Sequence, residues 1–311
     1  MKKLAFLLAV LAGAYAQQLA QSRRVALVIG NDAYLEGNRL QNAVSDARAM
    51  GAALREAGFA VQVVENATRE GMETAVEEFI GKLERGDVAL FYYSGHAVQI
   101  RGENYLIPVD VDAKTEIQAR SRSLNATEVL ERMEGARSDL QVLILDACRH
   151  NPFGRGRGAS RGLAPMNAGK GTFIAYATAP GETADDNVIG NNGLYTTHLL
   201  ENLRKPGLKL EDVFKATGAA VQRASGGRQV PWTASSVAGD FYFRLTVTVE
   251  VARPTAPPKQ EPLPAPTLEL RYGSLAVSSD QGGALYLDGT SFGQLQPFAV
   301  MNFPKLPAGP H

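Results

Sequence analysis

The sequence predicts an α/β fold: a mostly parallel central sheet covered by helices on both faces, with a small all-β module towards the C-terminal end. Three observations carry that expectation. Several short runs, among them Val25 to Gly30 and Val88 to Tyr93, are apolar at nearly every position rather than every second one, as in strands buried on both faces. Amphipathic helical stretches alternate with these runs, the signature of a parallel sheet with crossover helices. A proline-rich stretch then sets off a segment of short strand-like runs around an Asp-Gly pair.

Taken in order, Arg24 to Gly30 is the first strand, turned by Gly30-Asn31-Asp32. Leu40, Ala43, Val44, Ala47, Met50, Leu54 and Ala57 recur at helical spacing, and Gly58 stops the helix. Phe59 to Val64 is a strand, and Thr68 to Glu84 a helix with Met72, Val76, Phe79, Ile80 and Leu83 on one face. Val88 to Tyr93 is the third strand, ending in Ser94-Gly95-His96, and Tyr105 to Val109 is extended. Asn125-Ala126-Thr127-Glu128 has capping-box spacing and opens a helix to Met133. Gln141 to Cys148 and Thr172 to Ala177 are strands, 194–203 and 210–223 helices, and Asp240 to Leu245 a last strand. Residues 253–267 form the proline-rich linker, semi-stiff by composition. In 270–311, Gly273 to Val277 and Gly283 to Gly289 are short strands of the β module.

Composition narrows the function classes. The 32 basic and 32 acidic residues cancel, so no bulk field points to nucleic acid or anionic lipid. One cysteine excludes an internal disulfide. Residues 1–16 read as a bacterial export signal: Lys2 and Lys3, an apolar Leu4 to Leu11, and a small-x-small site at Ala14-Tyr15-Ala16. The apolar run is too short to span a bilayer, so a mature chain from Gln17 in the periplasm or outside the cell is expected, with an uncleaved anchor as the alternative.

Cys148 and His96 each end a buried strand. Parallel strands end on a common edge, where open α/β sheets place their chemistry. A thiol beside an imidazole is the pairing cysteine catalysis needs: the ring takes the thiol proton and returns it to the leaving amine. Asp146-Ala147-Cys148-Arg149, with Tyr92-Tyr93-Ser94-Gly95-His96 about 50 residues upstream, resembles the caspase-like cysteine peptidases, whose Cys–His spacing is a known signature. The fit is closest to the bacterial metacaspase-like branch, which has an acid two before the Cys. Val25 to Gly30, Asp46-Ala47, Gly102 to Pro108, Ala177 to Gly181 and Pro231-Trp232 also match, so the resemblance spans 23–245.

That resemblance implies a caspase-like α/β/α sandwich and an endopeptidase acting on peptide or protein substrates. It assigns Cys148 as nucleophile, His96 as base and acid, and the backbone N–H groups of Cys148 and Ala97 as the oxyanion hole. Ala97 stands where the family normally has Gly, and a site needing positive φ there would be misaimed. The three caspase positions that receive an acidic substrate side chain, two Arg and a Gln, become Leu40, Asp146 and Asp186 here, the last with Asp185 as alternative. Two carboxylates repel an acid and attract a base, so cleavage after Arg or Lys is expected.

The loop Gly154 to Gly162, continuing to Lys170-Gly171, is Gly-rich and basic. It reads as a self-cleavage segment at Arg155, Arg157, Arg161 or Lys170, as a solvated linker, or as a weak anion binder. No cofactor or metal ligand set is expected; Asp110 and Asp112 leave calcium activation open, as in some metacaspases, and no zinc pattern occurs. Trp232 lines a subsite by resemblance or packs as a core aromatic. Gly273-Ser274-Leu275, Tyr286, Asp288-Gly289 and Leu306-Pro307-Ala308-Gly309 resemble a PEGA-type surface module lacking its final strand, which implies a cell-envelope partner. Two other readings stay open: a caspase-like scaffold that binds without cutting, and a doubly wound nucleotide or flavin binder, although Gly30-Asn31-Asp32 is followed by neither G-x-G-x-x-G nor a Walker lysine.

Overall fold

A computed structural model describes residues 22–35, 39–111, 115–148, 162–179, 188–189, 191–248 and 272–307. The chain divides into two compact units between Phe243 and Arg244.

The first unit runs β1 (Arg24–Gly30), α1 (Ala43–Glu56), β2 (Phe59–Glu65), α2 (Arg69–Lys82), β3 (Val88–Ile100), β4 (Glu103–Leu106), α3 (Glu116–Arg122), β5 (Leu124–Asn125), α4 (Ala126–Gly135), β6 (Leu140–Cys148), β7 (Thr172–Tyr176), β8 (Val188–Ile189), β9 (Asn192–Gly193), α5 (Leu194–Leu203), α6 (Leu210–Ala224) and β10 (Trp232–Ser235). The main sheet has the order β10-β7-β6-β3-β1-β2. Every neighbouring pair in it is parallel except β10, which runs antiparallel to β7. The expected α/β/α architecture is therefore present.

Alternation of side chains along each strand divides the core in two. Ala26, Val28, Leu90, Tyr92, Val142, Ile144, Phe173 and Ala175 face one side and pack with α1, α5 and α6. Leu27, Ile29, Phe91, Tyr93, Leu143, Leu145 and Ile174 face the other and pack with α2 and α4. Burial on both faces is why these strands read as continuous apolar runs. Thr68 caps α2 by accepting from the Gly71 N–H at 3.1 Å, and Asn125 caps α4 by accepting from the Thr127 N–H at 2.8 Å.

Three differences from the sequence expectation concern the main sheet and its edge. β3 does not stop at Tyr93: it runs on to Ile100, and its extension pairs antiparallel with β4. The expected strand from Asp240 to Leu245 is replaced by a packed segment in which Tyr242 makes one isolated bridge to Lys209. Its Phe241 and Phe243 alternate because they pack, not because they belong to a ladder. Arg24 donates to the Ala57 carbonyl at 2.8 Å and the Phe243 carbonyl at 3.0 Å, and its guanidinium lies 4.9 Å from the Phe241 ring centroid. This edge of the sheet is instead β10, a four-residue strand that directly follows Pro231 and is too short to show a period.

The second unit holds β11 (Thr246–Thr248), β12 (Tyr272–Ser278), β13 (Gly283–Leu287), β14 (Thr290–Leu295) and β15 (Val300–Pro307). β15 lies between β11 and β12, and β13 pairs with β14. Asp288 and Gly289 join that hairpin with φ of 50° and 75°, the paired positive values of a type I′ turn. The linker 253–267 lies outside the described residues; β11 before it pairs with β15 after it. Among the described residues no helix is long and apolar enough to cross a membrane.

Gly30 shows how closely α1 sits on the end of β1: an added Cβ would lie 2.4 Å from the Ala43 carbonyl oxygen and 2.6 Å from the Ala47 Cβ. Gly30→Ala is expected to cost about 1–3 kcal/mol through overpacking. Gly81→Ala, within α2 and with nothing within 4 Å of its added Cβ, is expected to stabilise by about 0.5–1 kcal/mol. Urea denaturation midpoints at constant m-value check both.

Candidate active site

β3 and β6 pair in unbroken parallel register from Val88↔Leu140 to His96↔Cys148. Neighbouring strands lie about 4.8 Å apart, so the backbones of the sole cysteine and of His96 are side by side where β6 ends. The sequence expectation that both residues emerge on one rim of the sheet agrees with this register.

His96 is held by two tyrosines from different elements. Its N–H donates to the Tyr34 hydroxyl at 2.8 Å, and its carbonyl accepts from the Tyr93 hydroxyl at 2.7 Å. The Tyr34 ring lies against the imidazole, with centroids 4.4 Å apart and planes tilted by 47°. The two tyrosine hydroxyls are 3.2 Å apart, and both reach the Ile107 carbonyl, at 3.2 and 3.0 Å. Gly95 makes room for them: a Cβ there would meet each hydroxyl oxygen at 2.6 Å.

The direction of the next peptide follows from the same bonds. The His96 carbonyl also accepts the Ile107 N–H at 2.9 Å, and the Ser94 carbonyl accepts the Asn31 N–H at 2.9 Å. Both therefore face the β1 side of β3. In a trans peptide the C=O and N–H point oppositely, and there are no cis bonds among the described residues. The Ala97 N–H, sharing its peptide with the His96 carbonyl, thus faces the β6 side. Ala97 is fully buried, opposite Leu106 in the β3–β4 ladder, and does not have positive φ.

Two residues before Cys148 on β6 is Asp146, among the described residues one of two buried acids on this side of the sheet. Asp146 is 8 % exposed, and its Oδ2 accepts from the Thr196 hydroxyl at 2.6 Å and the Tyr92 hydroxyl at 3.3 Å. Thr196 and Tyr92 are themselves hydrogen bonded at 2.6 Å. Asp46, on α1 and 3 % exposed, accepts the Gly193 N–H at 3.0 Å. The Asn192 amide, turned to donate, reaches the same Asp46 oxygen at 3.2 Å. Both carboxyl groups therefore draw donors from the first turn of α5 and the β9 residues leading into it, the end of a helix that favours negative charge. These donors are neutral groups that orient the carboxylates. The Tyr92 hydroxyl registers both acids: its pKa is raised well above the usual value, by burial first and then by the charges of Asp146 and Asp46.

The caspase-domain family model matches residues 23–242. The chain belongs to the caspase-domain family. It is also 32 % identical over 133 residues to the human mucosa-associated lymphoid tissue lymphoma translocation protein 1, and equally to its mouse homologue. That match covers 43 % of this chain and only 16 % of each relative. The family is one of cysteine-type peptidases, whose substrates are peptides or proteins.

Within the caspase domain the remaining site residues from the sequence fall in different places. Asp185 and Asp186, and Arg155, Arg157 and Arg161, lie outside the described residues. Lys170 lies in the turn before β7, where Thr172 pairs with Gln141. Cys148 is seven residues further along β6, about 23 Å at the usual rise per residue. That turn is closed by the Thr172 N–H bond to the Gly169 carbonyl, at 3.1 Å, so Lys170 sits at the opposite end of the sheet from Cys148. Trp232 packs on Tyr176, ring centroids 5.4 Å apart, as a core aromatic. Asp110 accepts the Arg69 N–H at 3.0 Å at the start of α2, while Asp112 lies outside the described residues. Among the described residues no group of three or more His, Cys, Asp or Glu could hold a metal. The turn after β1 is not an open phosphate cradle: Gly30 packs against Ala43, and buried Asn31 ties Ala67 and Ile107 together.

Asp46 entered the sequence reading only as part of the matching Asp46-Ala47, with no role attached. Its signal was available: a carboxylate one residue from core Ala47 and two from Val44 stands close to the buried face of an amphipathic helix. An alkaline titration followed at 295 nm tests the buried hydroxyls. Burial raises Tyr92, Tyr93 and Tyr195 well above the usual 10.0, and moves Tyr176 to about 12. An unfolded chain sheds these protons first, so it binds fewer protons than the native state. The stabilisation is complete below pH 10 and is lost as pH rises beyond it. The expected record is a late, cooperative tyrosinate rise coincident with unfolding; four groups titrating normally in the native state contradict it.

Proposed function

We propose that this chain is a cysteine endopeptidase that cuts after Arg or Lys, using Cys148 and His96. The observation that carries the reading is the His96↔Cys148 register at the end of β6. In the proposed reaction His96 takes the Cys148 thiol proton, and the sulfur attacks the scissile carbonyl carbon. The carbonyl oxygen becomes an oxyanion facing the Ala97 and Cys148 N–H groups. Its collapse breaks the C–N bond, His96 returns the proton to the leaving amine, and water then releases the acyl group from sulfur. An Ala97 N–H turned towards β6 supports the donor role without positive φ.

The two buried acids support the choice of a basic side chain. Asp146 and Asp46 would meet a guanidinium or ammonium with charge-assisted hydrogen bonds and repel an acid. Asp186 remains a candidate third acid from its sequence position. Self-cleavage is proposed at Arg155, Arg157 or Arg161; Lys170 is dropped from the intramolecular set because of its distance along the sheet. An exported, periplasmic or extracellular location rests on residues 1–16, and a cell-envelope partner on the PEGA-type resemblance of the C-terminal module.

Fluorogenic peptides differing only at P1 test the reading. Arg is expected to turn over and Asp not, with Cys148→Ala inactive; faster turnover of the Asp peptide overturns the basic preference. Asp46→Asn and Asp146→Asn are each expected to lower kcat/KM for the Arg peptide by about 10- to 100-fold, the scale of losing one charged partner. Ala97→Gly is expected to leave kcat unchanged and cost about 0.5–1 kcal/mol of stability, because strand glycine only adds backbone freedom. A marked gain in kcat would mean the hole needs a conformation Ala97 denies it. On prolonged incubation the wild-type chain should be nicked within 155–161 and Cys148→Ala should stay intact.

A further inference from the structure

We propose that Tyr34 is a positioning residue for His96, setting the plane and height of the imidazole beside Cys148. The inference rests on the Cys–His reading above and deepens it. Two independent contacts come from this one side chain: its hydroxyl accepts the His96 N–H at 2.8 Å, and its ring packs on the imidazole at 4.4 Å. The hydroxyl is itself fixed, 3.2 Å from the Tyr93 hydroxyl and 3.2 Å from the Ile107 carbonyl. Tyr93 in turn donates to the His96 carbonyl at 2.7 Å. Both polar backbone groups of His96 thus end on tyrosine hydroxyls, and one face of its ring on a tyrosine ring.

Tyr34 is 5 % exposed and comes from the loop after β1, not from either strand of the Cys–His pair. Its ring also packs among Val98, Ile100, Tyr105 and Ile107, which anchors it independently of the histidine. Gly95 belongs to the same device, because any side chain there would occupy the place of both hydroxyls. An imidazole that must swing between a thiol and a leaving amine gains from such a fixed plate, since small misplacements of a catalytic group cost large factors in rate.

The test uses the full chain with Tyr34→Phe, which keeps the ring, and Tyr34→Leu, which removes it. Two readouts are taken: kcat and KM on a P1-Arg peptide, and the alkylation rate of the sole cysteine by iodoacetamide from pH 5 to 9. The wild type is expected to stay reactive well below the ordinary thiol pKa of about 8.5, through an imidazolium–thiolate pair. Tyr34→Leu is expected to lower kcat about 30-fold with KM held within about twofold, and to weaken the low-pH alkylation limb. Tyr34→Phe should fall in between, about threefold down. If Tyr34→Leu does not fold, the shift of kcat and alkylation profile in Tyr34→Phe decides. Unchanged kcat and profile in the folded variants, or a fall in kcat with an unchanged profile, overturns the positioning role and leaves the dyad standing. A wild-type cysteine with one ordinary thiol titration and no peptide turnover removes the dyad, and Tyr34's role with it.

Discussion

The site depends on one constraint, the unbroken parallel register between β3 and β6. Nine consecutive pairs run from Val88↔Leu140 to His96↔Cys148 without a bulge. A slip of one residue would exchange the two faces of a strand, putting Tyr92 and Asp146 into the wrong core. The register is fixed from the far end of the sheet, where both faces of each strand are filled by different helices. Packing that has nothing to do with chemistry therefore determines which residue stands beside His96.

The same alternation lets one dipeptide support both halves of the site. Tyr92 and Tyr93 are consecutive and fully buried, so their side chains enter opposite cores. Tyr92 bonds Thr196 and Asp146 on the acidic side. Tyr93 bonds the His96 and Ile107 carbonyls on the other. A phenylalanine at either position would fill the core equally well but leave buried acceptors short of a donor, which is costly in a low-dielectric interior. Tyr92 also explains why a buried acid is tolerable beside an apolar strand: its hydroxyl and the start of α5 supply hydrogen bonds that water would otherwise give.

Much of this was legible in the sequence. The all-apolar runs gave the central strands, and strand ends gave the neighbourhood of Cys148, His96 and Asp146. The elements that stayed hidden share a physical cause. β10 is four residues long, so it shows no period, and the β3 extension carries Ser94, Gly95 and His96, which read as the end of the strand. Phe241 and Phe243 alternate like a strand because they pack around Arg24. Tyr34 and Asp46 reach the site across 62 and 147 residues of chain, to the His96 N–H and the Gly193 N–H, and no local pattern encodes a contact of that kind.

Ala97 illustrates what the fold demands of a site position. Its departure from the family's Gly suggests a damaged oxyanion hole only if the amide is aimed by a special φ. Here the peptide is aimed by its other end: the His96 carbonyl is taken by Ile107 and Tyr93, and planarity turns the Ala97 N–H the opposite way. A methyl group on an extended residue leaves that direction alone, and the buried space around Ala97 already accommodates it. The proposed donor is then a property of the ladder rather than of the residue, and substitution at this position is limited by volume more than by conformation.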